Sequence, residues 1–216
     1  MLISSGAIAA GAAKLTFSKK ERTLAQKQAL AAVGQPELMS MYERLFAAYG
    51  YNVGQILMTK DIVEDPHRLS LARNTFTTLL ELGCVPIVNE NDSISTEEIR
   101  FGDNDTLSAY VAVVSKAQLL VNLSDIDGLY DSDPHKNPDA RLISVVSDPE
   151  SVASFAGDAG SSVGTGGMVT KIKAARIAGE AGIPMVIAGG SDPEVLYRIC
   201  DGESVGTYFV PKGEEE

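Results

Sequence analysis

The segment that decides the fold class spans residues 102–128 and reads GDNDTLSAYVAVVSKAQLLVNLSDIDG. Its opening GDND contains Asp and Asn, which are good helix caps. Apolar residues then recur at the three- and four-residue spacing of a helix, at Leu107, Tyr110, Val111 and Val114. The apolar run QLLVNLS at 118–124 is short enough for a buried strand, and the polar turn SDIDG follows it. The segment therefore predicts a helix followed by a strand.

Short apolar runs recur along the rest of the chain, and helical stretches fill the intervals between them. Each run is brief enough for a strand and ends in polar or Gly-containing residues. The other predicted strands are LIS near the N-terminus, VGQILMT at 53–59, CVPIVNE at 84–90 and PMVIAGG at 184–190. Such alternation is typical of βαβ units, so an α/β protein with a largely parallel sheet is predicted.

Two further helices are predicted from apolar spacing and from helix-breaking residues. The first begins at Pro36, which a first helical turn tolerates. Its face toward the core is expected to consist of Leu38, Met41, Tyr42, Leu45 and Phe46. The second begins at Met168 and is stopped by Gly182 and Pro184. The side of this helix that faces the core is predicted to contain Ile172 and Ala175. The cationic residues expected to point away from the core are Lys171, Lys173 and Arg176.

Composition argues against several classes of protein. The 216 residues are 44% hydrophobic, which suits one domain with a substantial core. A formal net charge of −11 argues against nucleic-acid binding, because that needs clustered Lys and Arg. The sequence contains neither a long apolar run nor a signal-peptide pattern, so no membrane association and a cytoplasmic location are expected. Two cysteines and two histidines at wide spacing predict neither a disulfide framework nor a zinc site.

Polar residues follow three of the predicted strands. They are Ser5 and Gly6 after LIS, the run NENDS at 89–93, and SDIDG at 124–128. Ligands of open α/β sheets collect at the carboxyl ends of the strands, so these residues are expected to converge on one rim. Ordinary Asx turns would explain NENDS and SDIDG equally well. Asn amides and Ser hydroxyls can hold a carboxylate, however, and Asp92 can hold an ammonium group, a combination that suits an amino acid.

The Gly-rich segment GTGGMVTK at 164–171 is predicted to close over the phosphates of a nucleotide. Its glycines let backbone N–H groups approach phosphate oxygens, and the positive end of the following helix adds to the attraction. Lys171, in the first helical turn, supplies a full charge. A flexible surface loop is the alternative, and the neighbouring FAGDAGSSVG supports it. The spacing is not that of a Walker loop.

Taken together, the motifs resemble the amino acid kinase family from Leu2 to about Tyr208. The blocks that carry the resemblance are SSGAIAAG, KQALAAVGQ, VPIVNENDS, FGDNDTLSA, SDIDGLY and GTGGMVTK. The resemblance implies a three-layer αβα sandwich around a mainly parallel sheet, the cofactors ATP and Mg²⁺, and a homo-oligomer. NENDS together with SSGAIAAG narrows the implied activity to phosphorylation of the side-chain carboxylate of L-glutamate, which produces L-glutamyl 5-phosphate at the start of proline biosynthesis.

The resemblance also implies roles for individual residues. The residues that would hold glutamate are Ser5, Asp92 and Asn104. Those that would hold ATP are Ser124, Asp125, Thr165, Gly166, Gly167, Met168, Val169, Thr170 and Lys171. Lys171 would also stabilise the transferring phosphoryl group, and Asp105 would orient the active-site lysines. An acid in the first turn of a helix is the alternative reading of Asp105.

The chain departs from the family pattern at its N-terminus. Residues 1–211 are predicted to form the catalytic domain, incomplete because the family's first strand and its Lys-containing Gly loop normally precede SSGAI, and 212–216 form an acidic tail. Low activity and marginal stability are therefore expected of this chain. Two alternatives remain open at this point: a kinase for another acid such as N-acetylglutamate, and a nucleotide-binding fragment with impaired catalysis.

Overall fold

The computed structural model describes residues 1–18, 21–96, 101–132, 134, 136–156 and 167–213. The chain divides into two compact units, Met1–Asn104 and Asp105–Glu216. The elements of the first unit are β1 (Leu2–Ile3), α1 (Ala7–Lys14), α2 (Leu24–Ala47), β2 (Asn52–Met58), α3 (Lys60–Glu64), α4 (Pro66–Glu81) and β3 (Cys84–Glu90). Its described strands form a parallel sheet in the order β1-β3-β2, so the fully buried Ile87 and Val88 lie on the central strand.

Helix α2 differs from the prediction at both its start and its packing face. It begins after Thr23, whose side chain and that of Gln26 form a reciprocal capping box, so Pro36 lies inside a 24-residue helix. The predicted core face is wrong at Met41 and Leu45, which are 50% and 62% exposed, whereas Leu38, Tyr42 and Phe46 are half-buried. The buried residues of α2 come earlier, at Leu30, Ala31, Gly34 and Gln35, because this is the part of the helix that packs against α1.

Two glycines let the backbones of α1 and α2 touch. A Cβ at Gly34 would lie 1.8 Å from the carbonyl oxygen of Ala7, and one at Gly11 would lie 2.0 Å from that of Leu30. Real Cβ atoms do not approach backbone that closely, so only glycine fits at either position. These glycines belong to SSGAIAAG and KQALAAVGQ. Part of each motif is therefore explained by helix packing.

The substitution Gly34→Ala should lower the free energy of unfolding by about 1–3 kcal/mol, because the added methyl group forces the two helices apart. Alanine normally stabilises a helix interior relative to glycine. Gly179 provides the matched control, since a Cβ there would meet its nearest atoms at 3.9 Å, an ordinary contact. Urea denaturation of both variants checks the prediction. Equal or greater stability of Gly34→Ala would contradict the close packing of α1 and α2.

The second unit begins within helix α5 (Asn104–Ser115), whose first residue belongs to the first unit. Its other elements are β4 (Leu120–Ser124), β5 (Val145–Val146), a 3₁₀ helix (Pro149–Ala156), α6 (Met168–Glu180), β6 (Met185–Gly189), α7 (Val195–Cys200) and β7 (Thr207–Phe209). The described strands form a sheet in the order β4-β6-β7-β5. One core cluster includes Ala109 of α5, Ala175 of α6 and Met185 of β6. A second includes Val186 of β6 and Val195 of α7, so apolar residues pack on both faces of β6.

The predicted fold class is confirmed. Among the described strand ladders, only β6–β7 is antiparallel. The predicted strand at 84–90 matches β3, and those at 53–59, 118–124 and 184–190 lie within two residues of β2, β4 and β6. Of the helices in the described ranges, none has the length and apolar character needed to cross a membrane.

Candidate active site

The ends of β1 and β3 lie side by side in the first unit. Ile3 is opposite Val88 in a parallel pair, and the N–H of Ser4 donates to the carbonyl of Val88 at 2.9 Å. Ser5 and the residues after Glu90 consequently leave the sheet at the same edge. The expected convergence is confirmed for these two strand ends, whereas the third polar turn follows β4 in the second unit.

Asn104 links the residues at this edge of the first unit. Its Nδ2 lies 2.7 Å from the Ser5 Oγ, 2.7 Å from the carbonyl oxygen of Ser4 and 3.3 Å from the Asn89 Oδ1. Ser5 and Asn104 were both predicted to bind the substrate, and the structure brings them into contact. Their hydroxyl and amide can hold a carboxylate without a net charge.

The segment NENDS contains the last two residues of β3, Asn89 and Glu90, and the start of a compact turn that follows the strand. The N–H of Asn91 donates to the carbonyl of Met58 at 2.8 Å, and the Ser93 hydroxyl donates to the Asn91 Oδ1 at 2.7 Å. This turn forms one wall of a small, shallow pocket that is open to solvent. The residues that line it are Ala7, Ala31, Gln35, Leu57, Glu90, Asn91, Asp92 and Ser93. NENDS can therefore be both an ordinary turn and part of a ligand pocket, because Asp92 lines the pocket.

Glu90 is a buried charged residue to which the sequence analysis gave no role. It is 6% exposed, and its Oε1 accepts a hydrogen bond of 2.7 Å from the N–H of Phe101. This contact ties the end of β3 to the segment that leads into Asn104. A Glu at the end of an otherwise apolar strand was the available signal, because a carboxylate is rarely buried without a specific partner.

Asp105 connects three side chains in the second unit. Its Oδ1 accepts from the Asn122 Nδ2 at 2.6 Å, and its Oδ2 accepts from the Thr170 Oγ1 at 2.6 Å and from the Lys171 Nζ at 3.0 Å. The side chains of Lys171 and Asp105 are only 10% and 13% exposed. The structure therefore brings together three predicted site residues, Asp105, Thr170 and Lys171, as a charge-assisted network.

The predicted direction of the Lys171 side chain is wrong. The residue was expected to point away from the core, but it is buried beside Ile172 on α6. A lysine can be buried in this way because its aliphatic stem packs against apolar groups while Asp105 supplies the opposite charge. Asn122, which completes the network from β4, was also missed. An Asn inside the apolar run LLVNL was the only signal of its role.

The Gly-rich segment is described only from Gly167 onward, so the predicted nucleotide ligands Thr165 and Gly166 lie outside the described residues. Gly167 is the N-cap of α6 and has no side chain with which to cap the first turn. Met168 packs into the core, whereas Val169 is 60% exposed. The N–H groups of this first turn carry the positive end of the helix, as anion binding requires.

Ser124 and Asp125 lie where β4 ends. Ser124 is opposite Gly189 of β6, and its carbonyl accepts from the N–H of Gly190 at 2.7 Å. Its hydroxyl donates to the Asp125 Oδ1 at 3.1 Å. Two residues further along, the Asp127 carboxylate accepts a hydrogen bond from the Tyr130 hydroxyl, which raises the pKa of that phenol. SDIDG is therefore an ordered polar turn at the carboxyl end of a strand.

The side chains that commonly bind metal ions do not cluster in the described ranges. Within those ranges there is no group of three or more His, Cys, Asp or Glu side chains that could hold a metal ion. Both Cys84 and Cys200 are free thiols. His67 lies exposed in the first turn of α4, while His135 is outside the described residues.

Comparison with solved structures defines the class of fold. The UMP kinase of Bacillus anthracis superposes with a TM-score of 0.60 over 94% of this chain and 74% of its own, at 16% sequence identity. An isopentenyl phosphate kinase superposes with a TM-score of 0.59 over 93% of this chain and 78% of its own, at 20% identity. At such low identity the likeness shows the fold alone, which is that of these α/β kinases.

The chain belongs to the amino acid kinase family, whose profile matches residues 1–189. Similar curated proteins are named glutamate 5-kinase. That of Clostridium acetobutylicum is 54% identical over 99% of this chain and 80% of its own length, and that of Symbiobacterium thermophilum is 52% identical over 99% and 81%. The resemblance inferred from the six sequence motifs is confirmed.

Proposed function

We propose that this protein is a glutamate 5-kinase, which transfers the γ-phosphoryl group of ATP to the side-chain carboxylate of L-glutamate. The product is L-glutamyl 5-phosphate, the first intermediate of proline biosynthesis. The observation that carries the proposal is identity of 50–54% over nearly the whole chain to relatives that bear that name. The two groups of polar side chains suit an amino acid in the first unit and a nucleotide in the second.

The residues of the first unit fit an amino acid substrate. The Ser5 hydroxyl and the Asn104 amide supply uncharged hydrogen-bonding groups for a carboxylate, and they already contact each other. Asp92 supplies the negative charge that an ammonium group requires. Ser5, Asp92 and Asn104 are therefore proposed as the glutamate-binding residues.

The residues of the second unit fit the phosphates of ATP. Lys171 supplies the positive charge, and its bond to Asp105 holds the ammonium group in one place. The first turn of α6 adds backbone N–H groups, from Gly167 through Val169, that can bind phosphate oxygens, and Thr170 follows them as a further proposed ligand. Ser124 and Asp125 also belong to the proposed nucleotide site. Thr165 and Gly166 are proposed as nucleotide ligands too, although they lie outside the described residues.

A general base is not needed for this reaction. The acceptor carboxylate of glutamate is ionised at neutral pH, since its ordinary pKa is about 4.3. Catalysis then consists of holding two anionic groups in line and neutralising their repulsion. This accounts for a proposed site built from Lys, Asp, Ser and Asn side chains.

Mg²⁺ belongs to the proposal as the partner of ATP. In kinases the ion is held by one or two carboxylates together with substrate phosphates and water, not by a cage of protein ligands. When bound, the ion would neutralise charge on the phosphates.

Residues 1–211 are proposed to act as one catalytic domain, with 212–216 as a tail. Lys212, the first residue of that tail, donates its backbone N–H to the carbonyl of Gly179 at 3.0 Å, so the tail departs from the end of α6. A homo-oligomeric assembly is part of the same proposal. The exposed Met41 and Leu45 of α2 offer apolar surface for such an assembly.

An acceptor screen tests the proposed function. ATP turnover by the purified protein should depend on L-glutamate and should not be supported by N-acetylglutamate, which has no ammonium group for Asp92 to hold. Turnover with the N-acetylated acid would instead indicate the other kinase. Binding of ATP in a calorimeter, with no transfer to any acceptor, would indicate a nucleotide-binding module without catalysis.

Substitution of Asp92 by Ala should raise the KM for L-glutamate roughly 10- to 100-fold, the equivalent of a lost charge-assisted hydrogen bond of about 1.5–3 kcal/mol. The KM for ATP should change less than about twofold, because Asp92 is assigned no nucleotide contact. Steady-state kinetics with each substrate varied in turn measures both values. Asp201→Ala, at the exposed C-cap of α7, serves as the control. An unchanged glutamate KM in Asp92→Ala would count against the assigned role.

A further inference from the structure

Gln35 is a buried residue with an unmatched hydrogen-bond donor. The residue is 8% exposed, and its Oε1 accepts a hydrogen bond of 3.0 Å from the Asn89 Nδ2. Its Nε2 is buried, and among the described residues it has no hydrogen-bond partner. A buried donor left unpaired destabilises the folded state, so a native protein retains one only for a reason.

The orientation of the Gln35 amide follows from its neighbours. The N–H of Glu90 donates to the Asn89 Oδ1 at 2.8 Å, and a backbone N–H can only donate, so that atom must be the oxygen. The other end of the Asn89 amide, Nδ2, therefore faces Gln35 and requires an acceptor. Gln35 must present Oε1 to it, which leaves Nε2 as the unmatched end.

Gln35 lies at the pocket that also contains Asp92. Both residues line it, together with Ala7 and Glu90. The adjacent Gly34 packs against the carbonyl of Ala7, so this turn of α2 is held in place by contact with α1. The unmatched donor is thus carried by a rigid helix, at the pocket that the proposed function assigns to the amino acid.

The chemistry of the pocket indicates what the donor binds. Glu90 and Asp92 make the lining acidic, which would repel a carboxylate unless hydrogen-bond donors were also present. In an amino acid the ammonium group and the α-carboxylate are attached to the same carbon. A group that binds one of them therefore lies near a group that binds the other, as Asp92 and Gln35 do here.

We propose that Gln35 is a further substrate-binding residue, whose Nε2 donates a hydrogen bond to the α-carboxylate of the amino acid held by Asp92. The inference rests on the proposed function and adds a specificity determinant to it. An acceptor without the α-carboxylate would leave this donor unpaired again, so Gln35 favours α-amino acids over simple acids. Its Oε1 simultaneously positions Asn89, which is itself 3.3 Å from Asn104.

Two substitutions separate substrate binding from the positioning of Asn89. Gln35→Glu keeps an oxygen for the Asn89 Nδ2 but replaces the donor with an anionic oxygen, whereas Gln35→Met removes both functions. Gln26→Met is the matched control: it makes the same change on the same helix, where Gln26 only caps the N-terminus by accepting from Thr23. The control should lower the thermal unfolding midpoint without changing the KM for glutamate.

We expect both Gln35 variants to raise the KM for L-glutamate by about 5- to 10-fold or more, as for one lost hydrogen bond, and to leave the KM for ATP and kcat within about twofold. Calorimetric binding of L-glutamate should weaken in parallel. A Gln35→Glu variant with unchanged KM would show that Gln35 serves only Asn89. Unchanged KM in both variants would show that a water molecule satisfies Nε2. If the unaltered protein neither binds nor phosphorylates glutamate, the proposed function fails, and this inference fails with it.

Discussion

Replacing Lys171 with Met should lower kcat by about 100- to 1000-fold, the loss typical of removing one group that stabilises transition-state charge. The physical reason is that a negatively charged phosphoryl group moves between two anionic groups, and a cation reduces their repulsion. Lys171 is a buried cation at the start of α6. Methionine preserves the apolar stem, so the packing of α6 should survive. Steady-state rates relative to the unaltered protein measure the effect.

The matched control for Lys171→Met is Lys173→Met, which makes the same substitution two residues further along α6 at an exposed position. That variant should retain the activity of the unaltered protein. If both variants retain full activity, Lys171 has no part in phosphoryl transfer. Calorimetric ATP binding provides a second measurement, because loss of a phosphate contact should also weaken the nucleotide.

Replacing Asp105 with Ala should destabilise the protein by about 3–5 kcal/mol, because it leaves the buried ammonium group of Lys171 without its counter-charge. Thr170 and Asn122 lose the acceptor of their short hydrogen bonds at the same time. Activity should fall as well, since Lys171 is no longer held in position. Urea denaturation measures the stability, and the slope of the transition shows whether unfolding remains two-state.

The double variant Asp105→Ala with Lys171→Met should be more stable than the sum of the single effects predicts, because it removes both charges of the pair. The ion pair of Glu150 and Arg176 provides the control: it spans 3.0 Å but is exposed, so Glu150→Ala should cost at most about 1 kcal/mol. A cost below about 1 kcal/mol for Asp105→Ala, with kcat unchanged, would favour the alternative in which Asp105 only complements the helix dipole.

Five of the seven described strands could be predicted because their signals are local, whereas the short β5 and β7 were missed. The run CVPIVNE is apolar, short and bounded by polar residues, and it matches the whole of β3. The start of α2 was misplaced for an equally local reason: the cap formed by Thr23 and Gln26 outweighs the preference of Pro36 for a first turn. The buried face of α2 could not be read from its own periodicity, since it depends on where α1 packs.

The site residues divide in the same way. Ser5, Asp92 and Asn104 stand in recognisable motifs, as do Asp105 and Lys171, so the sequence alone identified the family and supplied a set of candidate ligands. Tertiary structure alone decided which of them touch. The Lys171 Nζ reaches Asp105 across 66 residues of sequence, and the amides of Gln35 and Asn89 meet across 54.

The sequence by itself determined the α/β class, five of the seven described strands and the chemical types of residue at their ends, because periodicity, caps and turns are properties of neighbouring residues. It did not determine that Lys171 is buried, that Asn122 supports Asp105 or that Gln35 carries an unmatched donor. Burial and hydrogen-bond pairing are set by which segments pack together, and those segments are distant in sequence. A single buried amide or lysine has no periodic signal that could reveal its partner in advance.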